Sequence, residues 1–200
     1  MRLIITRHGE TEENNAGIIQ GHFPGHLSEA GIEQAGKVAL RLKDEKIDFI
    51  YSSDLARAAD TAAEIAKYHP GVPVILVHDL REIFLGAWQG KTREELGFEK
   101  NAGMSGFFPE DGESSEALFQ RADRFLHEVL LRHPGDTVLL AGHNVINKAI
   151  IAVITGKGPD EIHSIENQHN TAVSIFDIDE DRNYTIRVYN CVKHVAEKKK

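Results

Sequence analysis

The sequence predicts an α/β protein, a three-layer α/β/α sandwich around a mostly parallel central sheet. Short apolar runs rich in β-branched residues, which indicate buried strands, alternate along the chain with longer segments of helical periodicity. That alternation is typical of a parallel sheet covered by helices on both faces. A length of 200 residues suits one domain with a full core. We therefore expect a single domain over residues 1–200, without internal repeats or linkers.

The composition argues against several classes of protein. Hydrophobic residues make up 41% of the chain and charged residues 27%, as in globular rather than disordered proteins. The net charge of −8 argues against binding to nucleic acid or to an anionic membrane surface. A single cysteine, Cys191, leaves no internal disulfide and no cysteine cluster for a metal. No signal peptide or membrane span is evident, so the expected location is the cytoplasm.

In the first half of the chain, strands and helices alternate with short polar or glycine-containing segments. Strands are predicted at 3–5, 47–51 and 74–77, and the segment 15–27 is predicted as a loop because it holds three glycines and a proline. Ser28 is a candidate N-cap for a helix that extends to about residue 43. Ser52, Ser53 and Asp54 offer a cap for a second helix over 55–66.

The second half begins with an irregular stretch over 79–92 and a lid-like excursion at about 97–116. An amphipathic helix over 113–132, a buried strand over 137–141 and an apolar helix over 145–155 follow, and strands at 171–178 and 184–190 form a closing hairpin. The excursion is expected to cover the site and select substrate, or else to form a small satellite core, because it carries exposed large apolar side chains: Phe98, Met104, Phe107 and Phe108.

The loop after the first strand carries the first candidate site. Arg7 and His8 follow directly on a buried strand and cannot both point into an apolar core without partners. The carboxyl edge of a sheet, where α/β proteins place ligand sites, accommodates both. Gly9 removes a side chain where a ligand or another backbone must come close. By itself the triplet could equally be a surface loop with an incidental histidine.

Four blocks of sequence together resemble the histidine phosphatase superfamily, also called the phosphoglycerate mutase-like family. They lie at strand ends or helix starts, follow the family's order and span most of the chain. The blocks are Arg7-His8-Gly9-Glu10-Thr11 with Asn14, Tyr51-Ser52-Ser53-Asp54-Leu55 with Arg57, Leu80-Arg81-Glu82-Ile83 with Trp88, and Ala141-Gly142-His143-Asn144. The resemblance implies the phosphoglycerate mutase-like fold and chemistry on phosphate monoesters.

The resemblance also implies a phosphohistidine mechanism, and the residue types suit it. His8 would attack phosphorus through a neutral imidazole nitrogen. Arg7 and Arg57 would neutralise the phosphate with two-pronged hydrogen bonds, and His143 would donate to its equatorial oxygens. Further contacts to the substrate are expected from Asn14, Gln20, Gly21 and Asn144.

Glu82 is the candidate proton donor for the leaving alkoxide. A carboxyl group beside a phosphate dianion is driven toward its protonated form, which suits a general acid. After the alcohol leaves, the same carboxylate could accept a proton from the attacking water. The alternative for Glu82 is a salt bridge with Arg81 in a surface loop. Asp54 is expected to cap a helix rather than catalyse, and Glu10 and Thr11 are expected to brace the first loop.

No metal and no organic cofactor are expected. His22 and His26 are four residues apart, but Pro24 and Gly25 between them argue against a helical metal site. The segment 86–92 looks like the phosphate-binding loop of nucleotide enzymes. Leu85 stands where that motif needs its first glycine, so the spacing fails.

We therefore predict a metal-independent phosphatase that acts on a small phosphorylated metabolite, as a monomer or a homodimer. A cofactor-dependent phosphoglycerate mutase is the alternative, and a non-catalytic protein that binds a phosphorylated ligand is a remote one. Hydrolysis is favoured because the segment 97–116 contains no arginine and one basic residue, Lys100, so its charge opposes a second anionic group. Mutases of this family also tend to have tryptophan at the position of Glu12.

Overall fold

The computed structural model describes residues 1–97 and 109–196, which form a mixed α/β fold. Its elements, in chain order, are β1 (Arg2–Arg7), α1 (Glu12–Asn15), α2 (Glu29–Leu42), β2 (Phe49–Ser53), α3 (Ala56–Ala66), β3 (Val74–Val77), α4 (Ser115–Arg132), β4 (Thr137–Gly142), α5 (Asn144–Ile154), β5 (Val173–Ile178) and β6 (Tyr184–Cys191). Short 3-10 turns lie at His78–Leu80, Gly86–Trp88 and Pro159–Ser164.

The six strands form one sheet in the order β3-β2-β4-β1-β5-β6. Neighbouring strands from β3 to β1 run parallel, whereas β5 is antiparallel to both β1 and β6. Only β5 therefore runs against the other five described strands. The prediction of a mostly parallel sheet with a closing hairpin is confirmed.

The sheet lies between two layers of helices, because successive residues of a strand point to opposite faces. Leu3 and Ile5 of β1 pack with the apolar residues of α4 and α5. Ile4, between them, packs with α2 and α3 on the other face. Each of these side chains is no more than 1% exposed, and burying one contributes about 1.5–3 kcal/mol. The three-layer sandwich is confirmed.

Helix boundaries follow the predicted caps in some places and not in others. The Ser28 hydroxyl accepts a hydrogen bond from the Gly31 amide and begins α2, as predicted. The predicted cap of α3 is wrong, because α3 begins after Leu55 without a side-chain cap. The sequence analysis also missed the 3-10 turn at Pro159–Ser164 and the short helix α1.

The predicted lid cannot be compared in full, because residues 98–108 lie outside the described residues. Its described end is held against the irregular stretch that precedes it. The Glu113 amide donates to the Phe84 carbonyl at 2.8 Å, and the Asp111 carboxylate accepts from the Ala87 amide at 2.9 Å. The role of this excursion as a lid stays a prediction.

The loop after β1 packs closely against the first turn of α2. A Cβ atom on Gly9 would lie 2.5 Å from the carbonyl oxygen of Gly31, and one on Gly31 would lie 1.9 Å from that of Glu10. Both distances are far below van der Waals contact, so both positions must lack a side chain. The expectation that Gly9 allows a close approach is confirmed, and the approaching group is the backbone of α2.

Gly31→Ala should lower the free energy of unfolding by about 1–3 kcal/mol, because the new methyl group can only be accommodated by moving the loop from α2. Gly36→Ala is the matched control, since a Cβ at Gly36 in the same helix meets nothing within 4 Å. That change should raise stability by about 0.5–1 kcal/mol through helix propensity. Urea unfolding followed by circular dichroism measures both. Equal effects of the two changes would contradict the close packing.

Candidate active site

Two histidines leave the sheet side by side at the carboxyl ends of β1 and β4. Arg7 and Gly142 are paired in parallel register, so the residues that follow them, His8 and His143, are neighbours. The His8 amide donates to the Gly142 carbonyl at 3.0 Å. The two imidazole centroids are 5.0 Å apart. The sheet register therefore joins two blocks that are far apart in sequence.

Hydrogen bonding assigns the proton on His8. Its Nδ1 lies 2.6 Å from the carbonyl oxygen of Gly9, which can only accept, so Nδ1 carries the proton and Nε2 keeps its lone pair. Burial, with smaller contributions from Arg7 and Arg57, holds the pKa of His8 well below 6.5. The ring is therefore neutral, with a nucleophilic nitrogen available at Nε2.

His143 has the opposite arrangement. Its Nδ1 accepts a hydrogen bond from Nε of Arg57 at 3.2 Å, so the proton is on Nε2. Burial, and then the charge of Arg57, holds the pKa of His143 well below 6.5. Within the described residues, the buried Nε2 has no hydrogen-bond partner. A buried donor without an acceptor is costly unless a ligand supplies one.

Arg57 is 1% exposed and is held by protein acceptors at each of its three nitrogens. Besides the bond to His143, it donates to the carbonyls of Phe23 at 3.1 Å and Gly21 at 2.7 Å. Burial lowers the pKa of Arg57 to about 10, although the Glu82 carboxylate acts in the opposite direction. The guanidinium thus stays charged at neutral pH and retains two of its five N–H groups for a ligand.

Arg7 is the last residue of β1, and its side chain has fewer hydrogen-bond partners than that of Arg57. One terminal nitrogen donates to the Gln168 carbonyl at 2.8 Å, while the buried Nε has no partner among residues 1–97 and 109–196. Burial lowers the pKa of Arg7, and the Glu82 carboxylate again acts against that shift. Neither Arg7 nor Arg57 forms a direct ion pair within the described chain. The Glu82 carboxylate acts on both from a greater distance, so part of their positive charge is available to an anion.

Glu82 is bound at the N-terminus of α5. Its carboxylate accepts hydrogen bonds from the amides of Ile83 at 3.1 Å, Val145 at 3.0 Å and Ile146 at 3.2 Å. Amides in the first turn of a helix have no intrahelical acceptor, and the helix dipole favours negative charge there. The carboxylate is therefore fixed beside the two histidines.

The alternative prediction for Glu82, a salt bridge with Arg81, is wrong. Nε and Nη2 of Arg81 each donate to the Asp54 carboxylate at 2.6 Å. This bidentate pair also explains why Asp54 does not cap α3. It keeps the pKa of Asp54 below its ordinary value, chiefly through the hydrogen bond.

The loop around Glu82 is held from α4 and from the segment after β1. Arg121 donates to the Arg81 carbonyl at 2.9 Å and pairs with Glu113 at 2.6 Å. The imidazole Nε2 of His22 lies 2.7 Å from the Glu82 carbonyl, to which it can only donate. These positioning residues were missed by sequence analysis, because Arg121 has the pattern of an ordinary polar residue on an amphipathic helix.

A cavity of about 1080 Å³ opens over this constellation. Its wall includes eight of the nine predicted site residues: Arg7, His8, Asn14, Gln20, Gly21, Arg57, Glu82 and Asn144. His143 is the exception, since it is fully buried and contacts the others through His8 and Arg57.

The amide side chains predicted to bind substrate also form hydrogen bonds within the protein. The Gln20 amide donates to Thr11 Oγ1 at 2.9 Å, and Asn14 Oδ1 accepts from the Thr11 amide at 3.3 Å. Asn144 Oδ1 accepts from the Gln168 amide at 2.8 Å. Thr11 braces the loop as expected, and substrate binding by the three amide side chains stays a prediction.

Two cationic residues and a turn line the cavity without belonging to the predicted site. Lys148 and Arg93 line the cavity, as do the turn Pro159–Ser164 and Asn167 after it. A sequence signal existed for Lys148, because it is the one charged residue in the otherwise apolar segment 145–155. Arg93 and Asn167 carried no comparable signal.

Within the described part of the chain, no group of three or more histidine, cysteine or acidic side chains is arranged to hold a metal ion. His22, considered with His26 as a metal pair, is instead bound to the Glu82 carbonyl. Among the described helices, none has the length and apolar character needed to cross a membrane.

Residues 3–191 match the family model of the histidine phosphatase superfamily, branch 1. The chain belongs to the histidine phosphatase superfamily. This membership confirms the resemblance that the four sequence blocks carry.

Similar proteins of this superfamily match over nearly the whole chain. Phosphoglycerate mutase-like protein 4 of Arabidopsis thaliana is 32% identical over 98% of this chain and 87% of its own length. The metal-independent phosphoserine phosphatase of the same plant is 34% identical over 97% of this chain and 83% of its own. The solved structure of Bacillus stearothermophilus YhfR has a TM-score of 0.88 at 30% identity, covering 98% of this chain and 99% of that one. The superfamily fold is thereby confirmed.

Because His8 and His143 are buried and neutral, the stability of this protein should decrease as the pH falls below about 6.5. In the unfolded chain both imidazoles take up protons as the pH drops through about 6.5, whereas the folded protein resists protonation until its lowered pKa values are reached. The free energy of unfolding should lose up to about 1.4 kcal/mol per pH unit for each imidazole in that interval.

Urea unfolding between about pH 5 and 7.5 measures this dependence, in the interval on either side of the ordinary histidine pKa. The double variant His8→Gln/His143→Gln should have a shallower slope below pH 6.5, and the exposed His26→Gln should keep the wild-type slope. An unchanged slope in the double variant would mean that the two imidazoles are not buried in the neutral form.

Proposed function

We propose that this protein hydrolyses phosphate monoesters of small metabolites through a phosphohistidine at His8. The observation that carries the proposal is the pair of neutral imidazoles between two buried guanidinium groups. His8 presents a lone pair at Nε2, and His143 presents an unpaired N–H at Nε2. A phosphate group needs a nucleophile on one side and donors for its oxygens, and this pair supplies both.

In the first step, His8 Nε2 attacks phosphorus and the bond from phosphorus to the ester oxygen breaks. Arg7, Arg57 and His143 donate to the phosphoryl oxygens as charge shifts onto them. Hydrogen bonds to charged groups of this kind contribute about 1.5–3 kcal/mol each. Glu82, in its protonated form, gives its proton to the departing alkoxide, so that a neutral alcohol leaves.

In the second step, water attacks the phosphorus of phospho-His8. The Glu82 carboxylate accepts a proton from that water, the bond from phosphorus to Nε2 breaks, and its electron pair returns to the imidazole. Inorganic phosphate leaves and the starting protonation states are restored. The position of Glu82 in the wall of the cavity that His8 also lines supports both of its roles.

Similarity to named phosphatases supports hydrolysis as the overall reaction. One relative is named as a metal-independent phosphoserine phosphatase, which accords with a mechanism carried by side chains alone. The proposed substrate is accordingly a small phosphorylated metabolite.

His8→Ala should abolish turnover of p-nitrophenyl phosphate, because no nucleophile remains. Rapid quenching of the wild-type enzyme with ³²P-labelled substrate should trap an acid-labile, base-stable adduct that is missing from His8→Ala. His26→Ala, which changes an exposed histidine, should behave as wild type. Full activity of His8→Ala would exclude the phosphohistidine, and absence of any turnover by the wild type would favour a protein that only binds phosphorylated ligands.

A phosphoglycerate mutase is the second candidate, because Lys148 and Arg93 add positive charge to the cavity wall. An assay with 3-phosphoglycerate and a trace of 2,3-bisphosphoglycerate, in which both inorganic phosphate and 2-phosphoglycerate are followed, separates the two. Hydrolysis predicts faster release of inorganic phosphate than formation of 2-phosphoglycerate. Isomer formation about tenfold faster than phosphate release, equivalent to about 1.4 kcal/mol, would establish the mutase instead.

Glu82→Gln should slow esters with poor leaving groups by about 10²–10⁴-fold, because their alkoxides need a proton. It should slow activated aryl esters much less, since phenolates leave unprotonated. Glutamine keeps an oxygen that can accept from the α5 amides, so the fold should be preserved. Steady-state kinetics on an alkyl and an aryl phosphate measure the difference, with the surface variant Glu128→Gln as control. Equal losses on both esters would remove Glu82 from the acid role.

A further inference from the structure

We propose that Lys148, positioned by Asn167, binds a carboxylate on the alcohol portion of the substrate. The preferred substrates are then phosphate esters of small hydroxy acids rather than of neutral alcohols. This inference rests on the proposed hydrolysis at His8, and it adds a specificity-determining residue to it.

Lys148 lies on the helix that binds the proposed proton donor. Glu82 accepts from the amide of Val145, and Lys148 follows three residues later on α5, a rise of about 4.5 Å along the helix axis. Asn144 and Lys148 are four residues apart, so they share a face of α5, and both line the cavity. A group bonded to the leaving oxygen at Glu82 therefore extends toward Lys148.

Lys148 is a buried residue of the cavity wall that forms no direct ion pair within the described residues. The residue is 8% exposed, and within residues 1–97 and 109–196 it makes one hydrogen bond and no ion pair. Burial lowers the pKa of Lys148, and the Glu82 carboxylate acts against that shift. Lysine is seldom buried unless it is paired, because removing its charge from water is unfavourable. A ligand anion would supply the missing partner.

Asn167 directs this ammonium group. Its Oδ1 accepts from Nζ of Lys148 at 3.3 Å and from Nδ2 of Asn144 at 3.3 Å. Its backbone carbonyl accepts from Asn190 Nδ2 at 3.0 Å. Asn167 is thus fixed from two sides and occupies one of the three donors of Lys148, leaving two for a ligand. Two donors on one cation match the two oxygens of a carboxylate.

The charge of the surrounding wall favours a carboxylate over a second phosphate. Asp160 and Glu166 also line the cavity, and Glu166 directly precedes Asn167 in the chain. These two carboxylates offset the positive charge that Lys148 and Arg93 add to the wall, so a second phosphate with two negative charges is less favoured there than a carboxylate with one. The same reasoning disfavours a neutral alcohol, which would leave Lys148 unpaired.

The test compares 3-phosphoglycerate with glycerol 3-phosphate, which has a hydroxymethyl group in place of the carboxylate. The wild type should prefer 3-phosphoglycerate. Lys148→Met, which keeps the length and apolar packing of the side chain, should lower kcat/KM for phosphate release from 3-phosphoglycerate by about 10- to 100-fold. The same variant should change kcat/KM for glycerol 3-phosphate by less than about twofold. Lys148→Arg should recover part of the loss on 3-phosphoglycerate. Lys157→Met, which removes an exposed lysine paired with Glu161, should leave both substrates unchanged.

Equal losses on the two substrates would overturn the inference, because they would mean that Lys148 acts on the fold or on Glu82 rather than on the carboxylate. No loss on either would overturn it as well. Binding of 3-phosphoglycerate to His8→Ala, measured by calorimetry with and without Lys148→Met, separates this inference from the proposed function. If the wild type lacks phosphatase activity, the proposed function fails, yet weaker binding in the double variant would still support Lys148 as the carboxylate partner. Unchanged binding would exclude it.

Discussion

Two buried guanidinium groups, Arg7 and Arg57, place positive charge at the carboxyl edge of the sheet, and the rest of the site depends on that charge. Neither forms an ion pair within the described residues, although isolated charges are unfavourable inside a protein. Burial, together with this charge, keeps His8 and His143 neutral. A neutral His8 is a competent nucleophile, and an unbalanced cationic site attracts a dianion.

The fold holds these groups through backbone contacts that tolerate little change. The parallel register of β1 and β4 sets His8 beside His143. The missing side chains at Gly9 and Gly31 let the nucleophile loop lie directly on α2. Helix α5 then contributes twice, since its first amides bind Glu82 and its next turn carries Lys148. The proposed phosphate chemistry and the proposed selection of the leaving group are therefore organised along one helix.

Several polar residues have partners that local sequence does not reveal. Asp54 has the residue type and position of a helix cap, yet it binds Arg81 with both carboxylate oxygens. A charged bidentate pair is stronger than a cap made to backbone amides, so tertiary contact overrides the local preference. Arg121 shows the same effect, because a residue with the pattern of a solvent-exposed helix face instead binds the carbonyls beside Glu82.

The sequence by itself determined the α/β class, most of the strands and helices, the superfamily and a set of candidate site residues, eight of which the structure brings to one cavity wall. These features depend on periodicity, on caps such as Ser28 and on motif blocks, all of which are local along the chain. Only the tertiary structure decided the tautomers of the two histidines, the hydrogen bonds of Glu82 and the burial of Lys148. The Arg57–His143 bond joins residues 86 apart in sequence, and the Glu82–Val145 bond joins residues 63 apart. Protonation state and burial depend on such neighbours, because desolvation and hydrogen bonding act through space rather than along the chain.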